Sequence, residues 1–333
     1  YHSVVWEPVA LKELVGMSSE GEWLVIGSAE GIQDKCPGNI RVIAAELLCG
    51  KEGICQKHDK DTYVISADQA AVHELMNHAL TPALKRIIVV LPKKMPDSME
   101  KFSQFLEAVK HSMYLVKYLI CALADSDYTH KIEICLLGNY AFKVNGKELM
   151  LNPHYGACLK MGRSIEQECP SLKVRSIDMD SDTSVEVLWR HDLFGQPYDC
   201  IAFRENRPYV EQIHSYRIQN KDGALHIKDG GVYLITGGTG GIGQSLAAYI
   251  GRRKKVTLIL AARRGLSELS DSEGRRMQKS IAEIERADSQ VELVSCDVGR
   301  EEDVKTLIEH IHNKYGNLNG IFHCAGVPGD GYL

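Results

Sequence analysis

The run from Val232 to Gly243, Val-Tyr-Leu-Ile-Thr-Gly-Gly-Thr-Gly-Gly-Ile-Gly, constrains this chain more than any other stretch. An apolar strand that runs straight into a glycine-rich turn opening a helix is the layout of a dinucleotide site. Gly237 permits a tight turn. Gly241, lacking a Cβ, lets the backbone come close to a pyrophosphate set on the helix N-terminus, and Gly243 lets helix and strand pack closely. Thr236, Thr239, Gly240 and Ile242 complete the turn as candidate cofactor-binding residues. A turn with no ligand is written with the same letters, and the residues C-terminal to it decide between the two.

Gln244 to Arg253 has helical character, and Val256 to Ala261 is a short apolar run suited to a buried parallel strand. It ends in Arg263-Arg264-Gly265, with Arg263 standing 20 residues past Gly243. An NAD site usually has an acid near that position to hold the ribose 2′-hydroxyl, whereas a base suits the 2′-phosphate of NADP. NADPH is therefore the expected cofactor, with Arg263 and Arg264 at its phosphate. The strand from Val291 ends at Asp297-Val298, where Asp297 is placed to bond the adenine amino group or to cap a helix spanning Glu301 to Tyr315. The two roles are compatible. Gly320 to Gly326 brings another strand to a small-residue turn, where Ala325 and Gly326 leave room for a nicotinamide ribose. His323, at that strand's end, reads as structural.

Together, Thr236 to Gly243, Arg263, Asp297-Val298 and His323-Cys-Ala-Gly326 resemble a short-chain dehydrogenase/reductase, specifically the ketoreductase domain of modular polyketide synthases. The spacing Thr-Gly-x-x-x-Gly-x-Gly is that of the superfamily. Histidine stands where free-standing members usually carry asparagine, and Arg-Arg-Gly points the same way. The resemblance implies an oxidoreductase that passes hydride from NADPH to the β-keto group of an acyl chain held as a thioester on an acyl carrier protein. Its partners would be that carrier, with its phosphopantetheine arm, and neighbouring synthase domains. The serine, tyrosine and lysine that do the chemistry in that family are expected beyond Leu333, so no catalytic residue is assigned and residues 1–333 alone are expected not to reduce ketones. Asp330 matches the last position of the family's Leu-Asp-Asp stereocontrol motif, while Pro328 and Gly329 depart from it. This leaves a D-configured hydroxyl or a plain turn aspartate.

The first half supports the same resemblance, since a free-standing reductase would begin close to its glycine-rich strand. Trp23 to Ile26, Leu84 to Leu91 and Lys131 to Leu137 read as strands. Met99 to Leu123 reads as a long helix with an apolar stripe at Phe102, Phe105, Leu106 and Val109. Gly27-Ser-Ala-Glu-Gly31 keeps part of a glycine turn, but Gln33 stands where the last glycine is needed, so no cofactor is expected there. Asn152 to Arg163 and on to Asp178, Trp6-Glu-Pro8, and a strand near Ile201 to Val210 resemble the family's degenerate structural subdomain. Tyr155 and Lys160 lie five apart rather than four, which turns them away from each other on a helix, and both read as non-catalytic.

The expected fold is α/β, with two Rossmann-like subdomains: a degenerate structural one over 1–229, then the N-terminal part of an NADPH-binding catalytic one over 230–333, truncated at its C-terminus. The polar, glycine-bearing segment Gln219 to Gly231 holds the boundary. A hydrophobic share of 44% suffices for real cores, and a formal charge of −5 argues against a nucleic-acid partner. Arg252 to Lys255 reads as a solvated helix end. Ten cysteines without Cys-x-x-Cys pairs suggest reduced thiols and no metal. With no apolar span of about 18 residues and no leader pattern, neither membrane nor export is expected, which leaves a cytoplasmic location. The absence of an initial methionine suggests a piece of something longer. The alternative functions are a non-reducing scaffold segment of a synthase and, less favoured, a free-standing short-chain reductase.

Overall fold

The computed structural model describes residues 2–14, 21–29, 31–38, 40–48, 51–91, 102–126, 128, 131–215, 227–264 and 271–326. They form two compact units, one drawn mainly from Tyr1–Ile218 and the other from Gln219–Asp330.

The strands of the first unit are β1 (His2–Pro8), β2 (Gly21–Ile26), β3 (Ile40–Leu48), β4 (Cys55–Lys57), β5 (Thr62–Ser66), β6 (Leu84–Val90), β7 (Ile132–Asn139), β8 (Leu172–Met179), β9 (Cys200–Arg204) and β10 (Arg207–Ser215). They make one sheet in the order β1-β10-β9-β8-β7-β6-β2-β3-β5-β4. From β5 through β3, β2, β6, β7 and β8 to β9 every pairing is parallel. Parallel strands are covered on both faces, which is why β6 ends in the apolar run Ile87 to Val90 and why Ile87, Ile88 and Val89 are all buried. One face packs on α2 (Gln69–Ala79), α4 (Leu115–Ala124) and α5 (Pro153–Glu168); the other gathers Trp23, Ile88, Ile177, Phe194 and Phe203.

Two expectations for this unit are corrected. The long helix is α3 (Phe102–Val109) followed by a π-helical turn, Lys110–Tyr114, before α4. A π turn takes one residue more than an α turn and rotates everything after it. The core-facing residues are therefore Leu115, Val116, Leu119, Ile120 and Leu123, while Phe105 and Leu106 are 38% and 43% exposed. The strand expected near 201–210 is a hairpin of β9 and β10, closed by Glu205 and Asn206 at φ 52° and 61°. Positive φ at both central residues is the mark of a tight two-residue hairpin turn.

In the second unit β11 (Val232–Thr236), β12 (Thr257–Ala262), β13 (Gln290–Ser295) and β14 (Gly320–His323) form a parallel sheet in the order β13-β12-β11-β14. Residues alternate across it. Ile235, Leu258 and Leu260 face α7 (Gly241–Gly251) and α8 (Asp271–Glu285), while Leu234, Ile259 and Ala261 face α9 (Glu301–Tyr315). In chain order this is third-second-first-fourth, the same order as β5-β3-β2-β6, so both units are doubly wound Rossmann-like sheets.

Candidate dinucleotide site

In such a sheet, ligands lie beyond the carboxyl ends of the strands where the order reverses, here between β11 and β14. The glycine-rich turn sits at that point. Gly237 takes φ 66°, Gly240 N–H donates to the Gly237 carbonyl at 2.9 Å, and the Gln244 side-chain amide donates to the Thr239 carbonyl at 2.6 Å. The first intrahelical bond of α7 runs from Gln244 N–H to the Gly240 carbonyl. The amides of Gly241, Ile242 and Gly243 thus precede any intrahelical acceptor, and no side chain caps this helix. They form a positive, donor-bearing surface for an anion.

Each glycine has a distinct reason. A Cβ on Gly243 would stand 2.4 Å from the Gly237 carbonyl oxygen, and one on Gly238 would stand 2.6 Å from Leu260 Cβ. A Cβ on Gly241 would meet nothing within 4 Å. It would stand in open space before the helix N-terminus, so the cradle fits a pyrophosphate. Ile242 beside it is 76% exposed, an apolar surface at the mouth of the site.

Thr236, expected among the cofactor-binding residues, has its side chain engaged within the protein. It is buried, and its hydroxyl oxygen accepts N–H bonds from Cys324 and Ala325, both at 3.2 Å, with His323 Nδ1 at 2.8 Å. Having accepted twice, the hydroxyl donates to Nδ1, which leaves the imidazole proton on Nε2. Thr236 therefore clasps the end of β11 to the turn carrying Ala325 and Gly326, and joins His323 to the same cluster. Gly238 N–H, bonded to the Ala261 carbonyl at 3.1 Å, ties the turn to β12 in the same way.

Arg263 and Arg264 are exposed at the carboxyl end of β12, with the Arg263 carbonyl held by Ser295 Oγ at 3.2 Å. Arg264 lies 3.7 Å from Glu273 of α8. Asp297 is not the cap of α9: Arg300 occupies that position without a side-chain bond, and the acids Glu301, Glu302 and Asp303 supply the first-turn charge. Asp297 Oδ1 instead accepts from Gly299 N–H at 3.0 Å, and its own N–H bonds Asp303. Val298 next to it is exposed. Asp330 lies outside the described residues. Sequence reasoning missed Gln244, Gly238 and Glu273. The first two adjoin the glycine motif, whereas nothing in the sequence marks Glu273.

The other residues weighed as candidates are structural. Tyr155 is buried in α5, where burial pushes its hydroxyl up to about 12. Lys160 pairs with Glu211 and lies over the rings of Trp6 and Phe142. At Gly27, φ is 105° and a Cβ would stand 2.3 Å from the Val90 carbonyl; the next helix, α1 (Ile32–Lys35), has only four residues. Among the described residues no cluster of metal-ligating side chains is present, and no helix is long and apolar enough to cross a membrane.

A doubly wound sheet with a glycine-rich turn at its reversal and arginines just past the adjacent strand gives the second unit the layout of a short-chain reductase. Residues 231–333 match the family described as "KR domain". Relatives include polyketide synthase PksN of Bacillus subtilis (strain 168), 32% identical over 172 residues that make up 50% of this chain and 3% of that protein. PksL of the same organism is 27% identical over 186 residues, 51% of this chain and 4% of that protein. Similar solved structures include an adenylation, ketoreductase and pseudo Asub multidomain structure of a keto acid-selecting NRPS module, with a TM-score of 0.82 and 18% identity over 98% of this chain and 28% of that one. An N-terminal ketoreductase from the macrolactin assembly line gives 0.75 and 18% over 99% of this chain and 66% of that one. At such identities the structures speak for the fold alone, but for nearly all of it, including the first unit.

Proposed function

We propose that this chain is part of a polyketide synthase ketoreductase that uses NADPH to reduce the β-keto group of an acyl thioester carried by an acyl carrier protein. The observation that carries the reading is the open helix N-terminus at Gly241 beside Arg263 and Arg264 just past the neighbouring strand. Within it, residues 1–229 serve as the structural subdomain and 230–333 as the start of the catalytic one. When bound, the cofactor supplies a hydride. The chain's own residues hold it: the amides of Gly241 to Gly243 at the pyrophosphate, Arg263 at the 2′-phosphate, Asp297 and Val298 at the adenine, and Ala325 and Gly326 as the small-residue wall at the nicotinamide ribose.

Replacing Arg263 tests this. Charge-assisted hydrogen bonds contribute about 1.5–3 kcal/mol, and exposure reduces this toward the lower end. Arg263→Ala is expected to weaken NADPH binding about tenfold and NADH binding by less than about twofold, since 1.4 kcal/mol is a factor of ten. Fluorescence titration of both dinucleotides reads the difference. Binding of neither by the unaltered protein would favour the scaffold role instead, and equal losses for both would remove Arg263 from the phosphate.

A further inference from the structure

The basic end of β12 carries two arginines, and the structure treats them differently. The Arg263 backbone is fixed through its carbonyl by Ser295 Oγ at 3.2 Å. The Arg264 guanidinium is drawn toward α8, with Nη2 3.7 Å from Glu273 Oε1 and side chains 59% and 40% exposed. That separation is longer than a hydrogen bond and open to water, so the pair is weak and readily exchanged. A carboxylate beside the arginine that would meet a phosphate does two things. It competes for the guanidinium, and it adds a like charge to the ground the phosphate must enter.

We propose that Glu273 is a specificity-determining residue: by holding Arg264 it limits affinity for the 2′-phosphate and so narrows the preference for NADPH over NADH. This rests on the cofactor reading above and deepens it. A site optimised only for 2′-phosphate would leave both arginines to it. Here one is committed and the other is shared with an acid, a device that sets a ratio rather than an absolute affinity. The acid comes from the first turn of α8, where its side chain is 40% exposed. Substitution there leaves the packing of α8 through Met277 and Ile284 untouched.

The test uses four forms of the full chain, unaltered, Glu273→Gln, Arg264→Ala and the double variant, titrated calorimetrically with 2′-phospho-ADP-ribose and with ADP-ribose. These probes lack the nicotinamide, so the result does not depend on turnover. Glu273→Gln is expected to tighten the 2′-phosphorylated probe about two- to fivefold, the size of an exposed charge interaction, and to leave ADP-ribose unchanged. In the Arg264→Ala background the same change is expected to gain less, because only the repulsion between carboxylate and phosphate is then relieved. An unchanged ratio in Glu273→Gln overturns the inference while sparing the cofactor reading. So does an equal gain in the absence of Arg264, which would mean that Glu273 acts by its field alone. Failure of the unaltered protein to bind either probe overturns both. Circular dichroism melts of the four forms are expected to coincide.

Discussion

Gly243→Ala is expected to lower the stability of the nucleotide-binding unit by about 2–3 kcal/mol and to abolish dinucleotide binding with it. The added Cβ would stand 2.4 Å from the Gly237 carbonyl oxygen and 2.9 Å from Gly238 Cα, and both are backbone atoms that cannot swing aside. Relief requires α7 to lift from β11. That helix carries Ala247 and Ile250 into a core with Leu258, Leu260, Met277 and Ile284, so lifting it opens the packing of one whole face of the sheet. Overpacking of this kind typically costs about 1–3 kcal/mol, sometimes more, and the gain in helix propensity from glycine to alanine, about 1 kcal/mol at most, offsets only part of it. Gly241→Ala is the contrasting case. Its Cβ meets open space, so thermal melts should match those of the unaltered chain, yet the methyl group occupies the approach to the helix N-terminus and dinucleotide affinity should fall about tenfold. A Gly243→Ala protein that melts like the unaltered one would show that helix and strand are not in close contact. A Gly241→Ala protein that binds as before would place the pyrophosphate elsewhere.

That contrast was half legible in the sequence. Gly237, Gly241 and Gly243 could each be given a reason because glycine-rich turns have few ways to be built, and an apolar run such as Val256 to Ala261 has few uses other than a strand covered on both faces. Asp297 shows where such reading stops. An aspartate four residues before a helix satisfies the letter of a capping signal, but the helix register is set by which backbone first turns, and Gly299 lets Asp297 close its own turn instead. The π turn at Lys110–Tyr114, where Ser112 Oγ bonds the Ala108 carbonyl at 2.7 Å and the Val109 carbonyl at 3.4 Å, was not read from the hydrophobic period. The Glu205-Asn206 turn was missed because only Asn206 is a residue that favours positive φ. The shared strand order of the two units was invisible as a repeat. A buried parallel strand demands apolar side chains of suitable volume and little else, so two sheets of one topology need share no letters. The pairing of Arg264 with Glu273 depends on how α8 docks, which no local pattern encodes.

The same limit applies to the group that holds the first unit's loops together, and it sets the second large effect. Arg204, 2% exposed at the side chain, bonds Asp178 at 2.7 Å and Glu148 at 2.9 Å; those carboxylates are 0% and 1% exposed. Asp178 also accepts the N–H groups of Ala141 and Phe142, and Glu148 those of Val144, Asn145 and Gly146. One guanidinium thus secures the loop after β7 against β8 and β9. Arg204→Met leaves two buried acids without their cation, and breaking a buried pair from one side costs about 3–5 kcal/mol. Arg204→Lys should recover little, because a single ammonium cannot reproduce the forked contacts.

The acid limb has its origin in the same geometry. Burial alone would raise the Glu148 carboxyl, but the Val144 N–H, the Arg204 guanidinium and the neighbouring amides outweigh it and hold it at about 2, against an ordinary 4.5. Burial pushes Asp178 the opposite way, above its usual value in spite of Arg204, so of these two carboxylates Glu148 carries the acid sensitivity. With its folded value depressed, Glu148 contributes stability that is complete above its ordinary value and lost as pH falls from there toward 2, because the unfolded chain takes up the proton first. Urea denaturation between pH 7 and 2.5 should show this fall in the unaltered chain. In Glu148→Gln the curve should start lower at pH 7 and be flatter across that window, since an amide has no proton to gain. A Gln variant with the parent's acid slope would move the linkage to another carboxylate, and an Arg204→Met cost below about 1 kcal/mol, the scale of exposed pairs, would mean that water reaches the triad.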